Sequence, residues 1–295
     1  MSLVSLPDLL VAARVGGYAI GYFEAWDSYS VEAVAEAAES ERAPAIIGFG
    51  CAMVDSIWLD AGGIETWACI GRHVTQRASV PVCLLLNETH TIEQAQRGIE
   101  AGFNAVMPET SDMPAAESWK ALRHLVRWAR ARGAAVEAEL GKLPSASGGS
   151  VDDSHASLTD PDEAAAFVAA TGVDCLAVSV GNVHLLEGAE ASLDLERLAA
   201  IGRAAGVPLV LHGGTGLPSH ALPAAIASGV AKVNVGTVLK RTFLAGMREA
   251  LSADVGPHEL LGSHKPSDAG IAGKERMKVV VRQLIKLYGG SGRAA

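Results

Sequence analysis

The stretch "VPLVLHGGTGLP", residues 207–218, carries a short apolar run straight into a histidine, two glycines, a threonine and a third glycine. Val207-Pro208-Leu209-Val210-Leu211 is apolar on both faces, the pattern of a parallel strand covered by helices on each side. His212 then stands at the carboxyl end of that strand. Glycines directly after a strand let the backbone approach a ligand and aim its N–H groups at an anion. The stretch reads as half of a binding site, and the rest of the chain has to supply the other half.

Seven further apolar runs of similar length accompany it: residues 19–23, 44–49, 80–86, 104–108, 134–140, 175–180 and 231–236. Helical patterns lie between them, among them residues 30–42, 91–102, 160–172 and 220–229. Two of these open with helix-start chemistry, Thr91 with Gln94 three residues on, and Asp160 followed by Pro161 and Glu163. Eight strand and helix units fit a closed (β/α)8 TIM barrel better than an open doubly wound sheet. No linker composition divides the chain, so residues 1–295 are expected to form one domain. A helical extension occupies about 241–295, with "MKVVVRQLIKLYG" packing on the barrel or on a second subunit. A homodimer or homotetramer is expected.

The 295 residues, 49% of them hydrophobic, are enough to bury a large core. A net charge of −9 without any cluster of lysine or arginine argues against nucleic acid as a partner. Asp8 and Arg14 interrupt the first twenty residues, no signal-peptide pattern is visible, and no apolar segment is long enough to span a membrane. Cys51, Cys69, Cys83 and Cys175 are widely spaced with no C-x-x-C pair, which points to reduced thiols and a cytoplasmic location.

Barrel chemistry gathers where the strands end. Those ends carry Glu24, then Asn87-Glu88-Thr89-His90, Glu137 and Glu139, Gly181-Asn182-Val183-His184, His212, and Asn234-Val235-Gly236-Thr237. Two histidines with a carboxylate and an open position make a catalytic zinc arrangement. Glu137 alternates with Glu139, so one of them is expected to face the barrel centre, and Glu139, nearer the strand end, is the choice. Gly213, Gly214 and Thr215, with Asn234, Gly236 and Thr237, occupy the two loops that bind phosphate in many barrel enzymes. Lys240 adds charge there. Residues 141–158, "GKLPSASGGSVDDSHASL", form a long polar connection on the same face and are expected to act as a lid.

These residues resemble the class II, metal-dependent ketose-bisphosphate aldolases of the fructose- and tagatose-bisphosphate type, over nearly the whole chain. "LVLHGGTGLP" is similar to the family's histidine-glycine-glycine-serine-glycine segment, "KVNVGTVLK" to its phosphate loop, "VEAELGKL" to its strand-five glutamate segment, and "GGSGRA" to its tail. The resemblance implies that His184 and His212 are zinc ligands, that Glu139 is the glutamate a mobile zinc approaches, and that Gly181, Gly213, Gly214, Thr215, Asn234, Gly236, Thr237 and Lys240 hold the substrate phosphate. The family's leucine-aspartate-histidine-glycine segment reads Leu86-Asn87-Glu88-Thr89 here, Glu24 replaces an asparagine, and Leu185 replaces a glycine.

An amide has no useful basicity, so Asn87 cannot take a hydroxyl proton. Glu88 can ligate zinc in place of the missing histidine, and its extra oxygen ligands make manganese or magnesium alternatives. His90 is a second replacement if the strand end bends. The expected activity is that of an aldehyde-lyase acting on a sugar-like ketose or sugar phosphate through a metal-stabilised enediolate, with Glu88, Glu24, or a lid acid, Asp152 or Asp153, moving the proton. The alternatives are a decarboxylase or isomerase on the same platform, or a non-catalytic sugar-phosphate-binding homologue.

Overall fold

The computed structural model describes every residue except 1–2, 147–149, 155, 187 and 295. Its centre is a barrel of eight parallel strands, β1 (Ile20–Ala25), β2 (Ala45–Gly50), β3 (Val82–Thr89), β4 (Ala105–Pro108), β5 (Ala135–Leu140), β6 (Cys175–Val178), β7 (Leu209–Leu211) and β8 (Val230–Val235). They pair in chain order, and β8 closes on β1 through Gly21 opposite Val233 and Tyr22 opposite Asn234. The (β/α)8 barrel expected from the spacing of the apolar runs is therefore the fold.

The helices are α1 (Leu6–Gly16), α2 (Ser28–Glu41), α3 (Ser56–Trp58), α4 (Ile64–Arg77), α5 (Ile92–Ala101), α6 (Ala115–Arg130), α7 (Pro161–Thr171), α8 (Leu195–Ala205), α9 (Leu222–Ala227), α10 (Thr237–Leu251), α11 (Pro257–Leu260) and α12 (Ala269–Leu287). Thr91 caps α5 through Gln94 N, and Asp160 caps α7 through the N–H groups of Asp162 and Glu163, as their sequence signatures indicate. The C-terminal helical segment begins at Thr237, four residues before the expected start, because α10 follows β8 after the single residue Gly236.

Two cores result. Outward-facing strand residues such as Phe23, Ile47, Leu84 and Val233 pack under the helices. Inward-facing Ile20, Tyr22, Ile46, Cys83, Leu85, Ala177 and Val210 fill the barrel. Helix α1, which has no counterpart in the sequence reading, joins this inner cluster with Leu6, Leu9, Leu10 and Ala13, whose spacing of three, one and three puts them on one helical face. Cys51, Cys83 and Cys175 are buried, Cys69 is exposed, and none is disulfide-bonded. Among the described residues no helix is long and apolar enough to cross a membrane.

The connection after β5 is held at several points. Lys142 pairs with Ser157 and Ser145 with Asp152 in antiparallel bridges, and Ser145 also bridges to His184. Residues 147–149 and 155 of the expected lid lie outside the described residues.

Candidate active site

A cavity of about 270 Å³ opens at the carboxyl ends of the strands. Its wall includes Tyr22 and Glu24 from β1, Asn87 and Glu88 from β3, Glu109 after β4, His184 after β6, His212 to Thr215 after β7, and Asn234 to Thr237 and Lys240 at the β8–α10 turn. Asn87 and Glu88 are consecutive, and consecutive strand residues ordinarily point to opposite faces. Here the β3–β4 register shifts between Leu86 and Thr89, and Glu88 takes a left-handed φ of 55°. That irregularity lets both side chains reach the same cavity; a left-handed non-glycine residue costs about 1–2 kcal/mol. Strain of this kind gathers at functional sites.

One ligand atom each from Glu88, His184 and His212 lie within 4.8 Å of one another. The His212 ring is oriented from behind: its Nε2 is 3.0 Å from Glu137 Oε1. With Nε2–H donated to that carboxylate, Nδ1 faces the cavity with its lone pair. Glu139 Oε2 and Glu88 Oε1 stand 3.2 and 3.5 Å from Nδ1, but the angles make no hydrogen bond, and both Nδ1 and Glu139 Oε2 are buried without a partner. Burial opposes a charge on His212, yet Glu137, Glu88 and Glu139 together raise its pKa well above the ordinary value. Of these carboxylates Glu88 and Glu139 face Nδ1 and favour positive charge there, whether a proton or a cation. His184 is shifted the other way, burial outweighing the pull of Glu88, so its imidazole is neutral and available as a ligand. This donor set fits a divalent metal ion.

The choice of Glu139 alone at strand five needs correction. Residues two apart share a face of a strand, so Glu137 and Glu139 both point to His212, one to each ring nitrogen. Glu139 is not among the three clustered donors. Glu137, fully buried, also accepts from Lys232 Nζ at 2.8 Å, and Lys232 donates in turn to Asn234 Oδ1 at 2.5 Å and lies over the Tyr22 ring. Burial would raise the Glu137 carboxyl, but Lys232 and His212 hold it far below its ordinary value. Sequence reasoning passed over Lys232, Glu109 and Tyr22; the signal was a lysine at alternate register to Asn234 in the apolar strand "VAKVNV".

Backbone geometry fixes the two histidines differently. His212 follows β7, and Asn182 Nδ2 donates to its carbonyl at 3.1 Å while Asn182 Oδ1 accepts from Val180 N. His184 lies beyond β6 and pairs with the β5–α7 connection, donating its N–H to Pro144 O and accepting from Ala146 N, both at 2.9 Å.

Gly213, Gly214, Thr215, Asn234, Gly236, Thr237 and Lys240 all line the cavity. Thr215 Oγ1 accepts from Val238 N at 3.2 Å and so ties the two loops together. Lys240, however, is bonded to Glu24 Oε1 at 2.6 Å. Gly181 does not line the cavity: its φ of 98° makes a turn in which a Cβ would lie 2.1 Å from Ser192 O. Asp152 and Asp153 are exposed and off the cavity wall, since the Ser145–Asp152 bridge folds their segment back on itself. His90 turns to the surface, its Nε2 3.0 Å from Val54 O, and does not replace the missing imidazole.

The model of the family described as fructose-bisphosphate aldolase class-II matches residues 4–293. The chain is 33% identical over 303 residues to a fructose-bisphosphate aldolase of Geobacillus stearothermophilus, and 32% identical over 302 residues to a probable fructose-bisphosphate aldolase of Bacillus subtilis, in each case over 100% of both chains. In structure it is similar to the YdjI aldolase of Escherichia coli K12, with a TM-score of 0.81 and 27% identity over 99% of this chain and 100% of that one. A putative fructose-1,6-bisphosphate aldolase of Coccidioides immitis superposes with a TM-score of 0.79 and 30% identity, over 98% and 97% of the chains. Sequence, barrel and histidine-bearing strand ends agree: the chain belongs to the class-II fructose-bisphosphate aldolase family.

Proposed function

We propose that the protein is a metal-dependent carbon–carbon lyase that cleaves a sugar-like ketose next to its ketone. The supporting observation is the cluster of Glu88, His184 and His212 at the floor of the cavity, with His212 Nδ1 buried and unpartnered. When bound there, a divalent ion, with zinc as the first choice and manganese or magnesium as alternatives, supplies a Lewis acid for a carbonyl oxygen. Asn87 Oδ1 and the Tyr22 hydroxyl, both buried on the wall without a partner, are placed to hydrogen-bond the substrate. Burial, with Glu24 and Glu88 nearby, raises the Tyr22 phenol well above its ordinary value, so it stays protonated and donates. With Glu88 in the ligand set and Glu24 tied to Lys240, Glu109 is the wall carboxylate placed to exchange a proton with a substrate hydroxyl.

This set departs from the aspartate-histidine pair that the family resemblance implies at Asn87 and Glu88, and the native substrate accordingly differs from fructose bisphosphate. The protein is further proposed to work in the cytoplasm as a homodimer or homotetramer, which sedimentation would check. The deciding experiment incubates metal-replete protein with ketoses, their monophosphates and fructose bisphosphate, and measures aldehyde release with zinc, manganese and magnesium in turn. Release that is abolished by a chelator and by Glu109→Gln supports the reading; robust bisphosphate cleavage that survives Glu88→Gln overturns it.

A further inference from the structure

Glu24 occupies a place made for it. Strands β2 and β8 flank β1, and a glycine lies against the Glu24 carboxylate on each side, Gly50 as the last residue of β2 and Gly236 directly after β8. A Cβ on Gly50 would lie 3.0 Å from Glu24 Oε1, and one on Gly236 would lie 2.0 Å from Oε2. The two bare backbones make a slot that holds the carboxylate at the β8–α10 turn, its side chain only 20% exposed, with Lys240 Nζ at 2.6 Å. Charge around the cavity points the same way. Among the described residues of its wall Lys240 is the one lysine or arginine, against Glu24, Glu88 and Glu109. On the wall away from the turn, Ala52, Met53 and Leu185 offer no cation either.

We infer that Glu24 is a specificity-determining residue: seated between Gly50 and Gly236 and paired with Lys240, it fills the anion position of the turn, so the substrate end that reaches it carries hydroxyls and no phosphate. A phosphate dianion there would face a fixed carboxylate in a part-buried setting and would have to compete for a lysine already neutralised. Sugar hydroxyls meet no such opposition. They can donate to the carboxylate oxygens and accept from the Lys240 ammonium and from the Thr215 and Thr237 hydroxyls that line the same turn. The inference rests on reading this cavity as the place where the ketose binds.

The test is a calorimetric titration of inorganic phosphate into the wild type and Glu24→Gln. The variant should bind phosphate at least about tenfold more tightly. Equal or weaker binding by a folded Glu24→Gln, verified by its melting temperature, overturns the assignment. A second measurement needs only the wild type: a ketohexose should raise its melting temperature more than the 1-phosphate of the same sugar at equal concentration, and the opposite order overturns the assignment as well. Neither measurement requires turnover. Tight phosphate binding by a working lyase ends the proposal for Glu24 alone, whereas loss of all ketose cleavage ends the proposed reaction and leaves both results readable.

Discussion

His212 is held at Nε2 by Glu137 and has no hydrogen bond at Nδ1, and the two sides of the ring can be tested separately. Glu137→Gln would keep the shape of the Nε2 contact but leave Lys232 fully buried without a counter-charge, which should cost about 3–5 kcal/mol of stability in urea unfolding. The same change should weaken metal binding by about 10–100-fold, because the imidazole loses the carboxylate that orients it. A Glu137→Gln protein as stable as the wild type would mean that the buried Lys232–Glu137 pair does not support the fold. On the other side of the ring, wild type should carry stoichiometric divalent metal by elemental analysis, and the double variant His184→Ala/His212→Ala none; a metal-replete wild type without metal refutes the centre. The two histidines were legible because each ends an apolar run beside glycine or asparagine. Glu139 was picked from the sequence and Glu137 was not, although a period of two puts both on one face of the strand. Glu88 was half legible: its residue type suits a ligand, but its direction depends on a left-handed φ that only the closed barrel imposes.

Among the elements, the strands could be read from sequence because a parallel strand buried on both faces is a continuous apolar run with abrupt ends. Helix α1 could not, since its four buried residues acquire a partner only when the barrel exists to be plugged. Helix α12 was legible as a helix, though not its contacts: it lies along α2 with Lys274 bonded to Glu32 and Glu36, Lys278 to Glu36, and Arg282 to Glu41. Burial works against the Glu36 charge, but Lys274 and Lys278 hold its carboxyl below the ordinary 4.5. A depressed carboxyl contributes stability that is present above its unfolded value and disappears as the pH falls through the lower folded one. Glu36→Gln should therefore melt below the wild type at neutral pH, and calorimetry should show the gap closing as the pH drops under 4.5. A gap that stays constant well below that point would mean that these lysines do not stabilise the fold through Glu36.

At the scale of the whole molecule, seven strands and the β5–α7 connection meet in one cavity, and the join between Pro144–Ala146 and His184 ties a loop to the proposed metal centre. The two backbone hydrogen bonds there make loop docking and metal binding parts of a single equilibrium. Whatever free energy the ion gains from a correctly placed His184 is returned to the loop as resistance to opening, because coupling between two sites is reciprocal. Zinc should slow proteolytic cutting between residues 141 and 158 more than cutting anywhere else, and protein nicked in that segment should release zinc faster than intact protein, both read by mass spectrometry and a chromogenic chelator. Cutting at equal rates with and without zinc would show the two to be independent. Were zinc to protect the segment, the supply of free metal would set how long this connection survives: the proposed centre would act as a clasp, and loss of the ion would expose the segment to cutting.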